Sequence, residues 1–238
     1  MILTSFFAAL GQIGDPRFRR VLLLGIALTI ALLIAATSGF VWLIGILTAD
    51  TLTVPWIGEI TWFGDIITWG SFFLFFILSI FLMMPVASAI TSMFLDEVAQ
   101  AVEDRHYDLP PPTKVPFGDA VVDTVNFLGV LIAANILALI VYAIFLPAAV
   151  FIFWALNGYL LGREYFTLVA MRRVGRTGAK ELRKKHSGTI WLAGILMAIP
   201  LSVPLINLLI PIVGAATFTH LYHGLTGAAG RGRTSSYR

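Results

Sequence analysis

This chain predicts an all-α integral membrane protein, with two long transmembrane helices, two partly penetrating helical hairpins and an N-terminal interfacial helix. Three observations carry that prediction. Of 238 residues, 58% are hydrophobic and only 12% charged, which leaves too little polar surface to cover a soluble globule of this size. Four runs, Val21 to Leu47, Ile66 to Leu95, Thr124 to Gly162 and Ser187 to Thr219, contain no charge, and ~20 apolar residues suffice for a helical span. Lysine and arginine gather in three places: Arg17, Arg19 and Arg20 before the first run, the segment from Arg163 to His186, and a tail with Arg231, Arg233 and Arg238.

Residues 1–14 open the chain. Ile2, Phe6, Phe7, Leu10 and Ile13 have helical apolar spacing with Thr4, Ser5 and Gln12 off that face, which predicts a helix lying in the interface. Neither a basic n-region nor a small-residue exit marks a cleaved signal peptide. Pro16 has its φ preset for a first helical turn and no N–H to leave unpaired, so a long transmembrane helix is expected over 16–48, beginning near Arg17. The second, over 66–106, is expected to kink at Pro85 without ending. It runs on through the acidic stretch Asp96, Glu97, Glu103 and Asp104 until Leu109-Pro110-Pro111-Pro112 stops it.

Lysine and arginine placement then orients the chain. The N-terminus, residues 163–186 and the tail belong on the cytoplasmic side; the first connection, with Asp50, Glu59 and Asp65 and neither Lys nor Arg, belongs outside. Runs three and four must each start and finish on one side, as hairpins over 116–162 and 187–225. Pro147 stands where the first would turn, and Pro200, Pro204 and Pro211 where the second would. Backbone that turns at membrane depth must be covered by protein or line a water-filled cavity, so the hairpins point to an internal polar space or to burial in an oligomer. Residues 163–186 read as a basic cytoplasmic helix, and the chain as one multi-pass membrane domain.

Several chemistries find no support. There is no cysteine, hence no disulfide framework, thiolate nucleophile or cysteine-bound metal. Gly175-Arg-Thr-Gly178-Ala-Lys180 lacks the spacing and preceding strand of a phosphate loop. His220 and His223 share a helical face without a third ligand nearby. No hydrolase, zinc-protease or kinase motif appears. The expectation is a protein that is not an enzyme, takes no cofactor or metal, and binds no nucleic acid.

The sharpest candidate site is Asp15-Pro16-Arg17-Phe18-Arg19-Arg20. Helix-terminal N–H groups and the helix dipole add to the guanidinium charges, a setting for a small anion; the plainer reading is that the arginines anchor a helix at the interface. Arg163-Glu164, at the membrane edge, either fixes helix packing or forms a pore-lining gate. Asn207, the one amide in run four, either bonds a neighbouring helix or lines water. The cations from Arg172 to Lys185 lie on anionic lipid or collect anions at a pore mouth.

Three segments, Lys114-Val-Pro-Phe-Gly-Asp-Ala120, Gly158-Tyr-Leu-Leu-Gly-Arg-Glu-Tyr-Phe166 and the block from Pro204 to Thr217 through His220, together resemble the CysZ family of bacterial inner-membrane sulfate permeases. The resemblance covers nearly the whole chain. It implies two long transmembrane helices plus two partly penetrating hairpins, assembly as homo-oligomers in the bilayer of the inner (plasma) membrane, and sulfate uptake that feeds cysteine synthesis. It also implies a Pro-Gly-hydrophobic-Arg-Arg site at the start of the first long helix. Pro16, Phe18, Arg19 and Arg20 match it, and Arg17 stands in place of the small residue, where glycine would let the backbone approach an anion closely. Two functions follow: a passive permease for sulfate or a related oxyanion, with no coupling-ion site or nucleotide loop, or a non-transporting scaffold that binds lipid or a partner.

Overall fold

The computed structural model describes residues 1–47, 52–54, 58–60, 69–77, 79, 83, 86–87, 90, 93–113 and 115–227. Among these residues the regular structure is helical apart from one short antiparallel pair, β1 (Leu52–Val54) and β2 (Gly58–Ile60), with Thr53 opposite Glu59. Helix α1 (Ile2–Gly11) is followed by α2 (Pro16–Leu47) and by helical residues 69–77, here α3. Then come α4 (Leu95–His106), α5 (Phe117–Ile144), α6 (Ala149–Lys185), α7 (Ser187–Ala198), the four-residue α8 (Pro204–Asn207) and α9 (Ile210–Leu225). Among the described residues three segments are long and apolar enough to cross a membrane: Pro16–Ile44, Val121–Ile144 and Leu146–Lys185.

The chain forms two compact units, Leu23–Thr91, and Met1–Leu22 with Ser92–Arg238. Within the first, α2 and α3 run antiparallel: Phe40 stacks on Phe75 with ring centroids 4.8 Å apart, and the Thr37 and Ser79 hydroxyls lie 3.4 Å from each other. The expected kink at Pro85 lies outside the described residues.

The second unit is built around α9. Every residue from Ile210 to His223 is buried, as a helix apolar on nearly all sides requires. It is surrounded by α1, α4, α6 and α7. Helix α1 contributes its Ser5, Ala9 and Gln12 face, and α4 contributes Leu95, Val98, Ala99 and Val102.

Helices α5 and α6 form a hairpin whose turn is the 3₁₀ segment Leu146–Ala148 containing Pro147. Helices α7 and α9 form another, turning through Ile199–Ser202 and α8. The arms of the second hairpin are 12 and 16 residues long, about 18 and 24 Å at 1.5 Å per residue, each short of the ~30 Å hydrocarbon core.

Two boundaries differ from those the sequence suggests. A turn at Met93 and Phe94 precedes α4, so the acidic segment is a helix of its own. Asp96 and Glu97 fall in its first turn, where carboxylates favour a helix start. The other difference lies at Gly162 and Arg163, where α6 continues unbroken instead of giving way to a separate basic helix. A paired charge does not interrupt backbone hydrogen bonding. The break comes at Gly175, with φ 67° and ψ −179°, a conformation essentially confined to glycine.

Helix α7 packs against α6 at backbone distance. A Cβ on Gly158 would lie 2.7 Å from Ile195 N, one on Gly162 2.6 Å from Ile190 O, and one on Gly194 would run into Gly158 O. This is the small-residue spacing that lets helices meet closely in membranes. Gly194→Ala must therefore push two backbones apart, at a cost of about 1–3 kcal/mol. The expected result is a lower thermal midpoint in detergent; an unchanged midpoint would mean that the two helices do not touch there.

Candidate functional site

The start of α2 is organised by the residue before its proline. Asp15 Oδ1 accepts the Arg17 N–H at 2.9 Å, and Asp15 O accepts the Arg19 N–H at 3.1 Å, so Asp15 serves as the N-cap. Its other carboxylate oxygen accepts from Gln12 Nε2 at 3.0 Å and faces Arg105 Nη1 at 3.6 Å. Burial acts to raise the Asp15 carboxyl; the Gln12 and Arg17 hydrogen bonds and the Arg105 charge outweigh it and hold the group below its ordinary value.

The candidate residues of this stretch divide into three kinds. Arg17 donates from Nη1 to Asp104 Oδ2 at 2.5 Å, and Asp104 also accepts from Gln100 Nε2 at 2.7 Å. The Arg17 hydrogen bond is the main reason the Asp104 carboxyl stays low. Phe18 is buried in the core beside Val21. Arg19 and Arg20 are exposed, and among the described residues neither has a carboxylate within ion-pair distance. The helix start thus presents two uncompensated guanidinium groups beside a terminus whose first free N–H is already taken by a carboxylate.

Deeper in the same unit lies a charge cluster that sequence reasoning does not reveal. Glu103, on the inner face of α4, is 2% exposed. It accepts from Arg173 Nε at 2.8 Å and faces Arg173 Nη2 at 2.7 Å and Arg172 Nη2 at 3.5 Å. His223 Nε2 of α9 stands 3.0 Å from the same carboxylate. Arg172 also donates to Gln100 Oε1 at 2.6 Å, and Arg173 to Pro110 O at 2.6 Å. The Tyr107 hydroxyl meets His220 Nδ1 at 2.9 Å while its ring lies 4.2 Å from that of His223; burial, with the Glu103 charge, pushes its phenol up to about 12. Arg172 and Arg173 are thus consumed in packing α4 on α6 and do not lie on a lipid surface. His220 and His223 serve the same cluster.

Arg163 and Glu164 share the wall of a cavity of about 330 Å³ bounded by α4, α5 and α6, together with Asp96, Asp123, Thr124 and Phe127. The Arg163 guanidinium sits over the Phe127 ring, 6.0 Å from its centroid. Arg19 and Arg20 do not line this cavity. Asn207 closes α8 in the other hairpin, its backbone N–H donated to Val203 O at 2.9 Å.

Glu103 gives the fold a defined acid limit. Burial by itself would raise its carboxyl from 4.5, but the His223 and Arg173 hydrogen bonds and the Arg172 and Arg173 charges bring it to about 2. A lowered carboxyl stabilises the fold above its unfolded value, and that contribution, about 3 kcal/mol, is lost as pH falls from about 4.5 to about 2. Glu103→Gln should cost about 3–5 kcal/mol at neutral pH by leaving buried arginines without a counter-charge. It should also flatten the stability profile across that acid window, read as thermal midpoint against pH; a profile unchanged by the substitution would refute this assignment.

A family model described as sulfate transporter CysZ/etoposide-induced protein 2.4 matches residues 5–211. No curated protein and no solved structure matches the chain.

Proposed function

The chain belongs to the sulfate transporter CysZ/etoposide-induced protein 2.4 family, and on that premise we propose that it is a passive permease for sulfate or a related oxyanion, in which Arg19 and Arg20 capture the anion. The observation that carries this reading is the division of charge at the start of α2. Arg17 is neutralised by Asp104, whereas Arg19 and Arg20 stand exposed beside the positive end of a long helix. An anion held there interacts with two guanidinium groups and with the helix dipole together.

Asp15 and Asp104 bear on the choice of anion. Each is a carboxylate near the approach path, and its repulsion scales with the anion's charge as the arginines' attraction does, so the preference rests on geometry: two guanidinium groups together suit an anion with several acceptor oxygens. A divalent tetrahedral oxyanion meets that requirement better than a halide does. Passage down a gradient needs no nucleotide site and no catalysis. The proposed setting is the inner (plasma) membrane, with the chain crossing more than once as a homo-oligomer and supplying sulfate for cysteine synthesis. Arg163, Glu164 and Asn207 are proposed as pore or gate residues of lower standing than the arginine pair.

Proteoliposomes provide the test. The full chain should take up sulfate saturably, and Arg19→Ala with Arg20→Ala should reduce uptake at least tenfold; unchanged binding and flux would end the proposal. Asp15→Asn keeps a capping side chain but removes its charge. It should tighten sulfate binding about 2–5-fold, the equivalent of 0.3–1 kcal/mol for a charge at a helix terminus; weaker binding would place the anion elsewhere.

A further inference from the structure

The cations of the α5–α6 hairpin that take no part in the Glu103 cluster meet around one cleft. A cavity of about 430 Å³ is lined by Arg163, Arg176, Lys180 and Arg183, with Asp123 as its one acid. An adjoining cavity of about 300 Å³ shares Arg163, Lys180 and Arg183 and adds Lys184, Tyr159 and Trp191. Asp123 is engaged by Arg176, Nε to Oδ1 at 3.2 Å. Among the described residues Arg163, Lys180, Arg183 and Lys184 have no carboxylate within ion-pair distance. What holds the two half-buried guanidiniums is neutral: Arg163 rests over Phe127, and Arg183 Nη1 donates to Thr167 Oγ1 at 2.8 Å. Half-buried guanidinium groups without a counter-ion are unfavourable unless an anion joins them.

The surroundings decide which anion. Tyr159 and Trp191 are about half exposed at the mouth, 47% and 44%, and Trp191 Nε1 donates to Ala155 O at 2.8 Å, which fixes the indole at the cleft edge. Amphipathic rings of this kind mark the level of the headgroups. Further along α5, on the face that carries Asn126 and Val130 of the cleft, Leu137, Ile140 and Ile144 are each more than half exposed, on a segment apolar enough to cross a bilayer. Cations below, aromatic rings at the rim and an apolar wall above suit a molecule with a phosphate at one end and acyl chains at the other. Basic pockets between transmembrane helices hold anionic lipids in this manner.

We propose that this cleft is a specific site for the phosphate headgroup of an anionic phospholipid, distinct from the arginine pair at the start of α2. The shared chemistry is a tetrahedral phosphate-type oxyanion, and the lipid is the source that the rim and wall favour over a free ion. The site does not depend on whether sulfate passes through the protein.

Native mass spectrometry of the full chain in detergent tests this with added phosphatidylglycerol or phosphatidylcholine of identical acyl chains. Phosphatidylglycerol should bind at least tenfold more tightly, and millimolar inorganic phosphate should not displace it. Arg163→Gln with Lys180→Gln and Arg183→Gln should bring the two lipids to within about twofold, while Lys185→Gln, outside the cleft, should leave the preference intact. Lys180→Gln alone, at an exposed position, decides the matter if the triple variant fails to fold: each basic residue beside anionic lipid is worth about fivefold. Equal binding of the two lipids, a preference untouched by Lys180→Gln, or displacement by inorganic phosphate alone would overturn the proposal.

Discussion

The Glu103 carboxylate is the constraint on which the larger unit depends. It is buried where a charge on its own is not tolerated, and it is satisfied by groups from two other helices, Arg172 and Arg173 of α6 and His223 of α9. Both carboxylate oxygens are engaged by guanidinium groups, a geometry that fixes direction as well as distance. Three elements distant in sequence are thereby locked to one point. The polyproline connection follows, because Arg173 also donates to Pro110 O, and Thr113 N–H reaches Arg172 O at 3.2 Å. Buried ion pairs add little net stability when compared with a well-packed apolar core, but losing one partner costs several kcal/mol. The cluster therefore specifies the arrangement more than it strengthens it.

Seen from that cluster, the basic residues fall into two populations. Arg17, Arg172, Arg173 and Arg176 each have a carboxylate within reach and act as fasteners. Arg19, Arg20, Arg163, Lys180 and Arg183 have none among the described residues. The second population is where we propose that anions bind, and it collects at two places: the start of α2 and the cleft between α5 and α6. Counting charges along the chain does not separate the two kinds, since a fastener such as Arg172 sits nine residues from Arg163 in one basic segment. Only the acids brought opposite by folding do.

How much of this could be read beforehand depends on the range of the interaction. Local features were legible: the apolar runs, the turns at Pro147 and around Pro200, and the helix start at Pro16. Asp15 directly before that proline was a readable N-cap as well, although the arginines that follow draw attention away from it. Gly158 and Gly162, four apart, carried the close-approach spacing in plain sight. The burial of α9 from Ile210 to His223 was not legible, because a helix apolar on nearly every side looks the same whether lipid or protein covers it. Nor was the Glu103 cluster, whose partners lie some seventy and 120 residues away. The bend in α6 falls at Gly175 and not at the first charged residues, since backbone conformation ends a helix where charge does not.

Helix α9 has one further consequence, for the order in which the molecule is made. It is enclosed partly by α1, from the opposite end of the chain, and Met1 Sδ lies 3.3 Å from where a Cβ on Gly224 would sit. A ribosome delivers α1 and α4 well before α9, and α7 directly before it. Until α9 follows, the Glu103 carboxylate lacks its histidine, and the inner faces of α1 and α4 lack the cover that α9 gives them. Compactness of this unit therefore waits for α9, which closes over α1. Until α9 has emerged such a chain is exposed to misassembly, and the maturation of this unit depends on that helix.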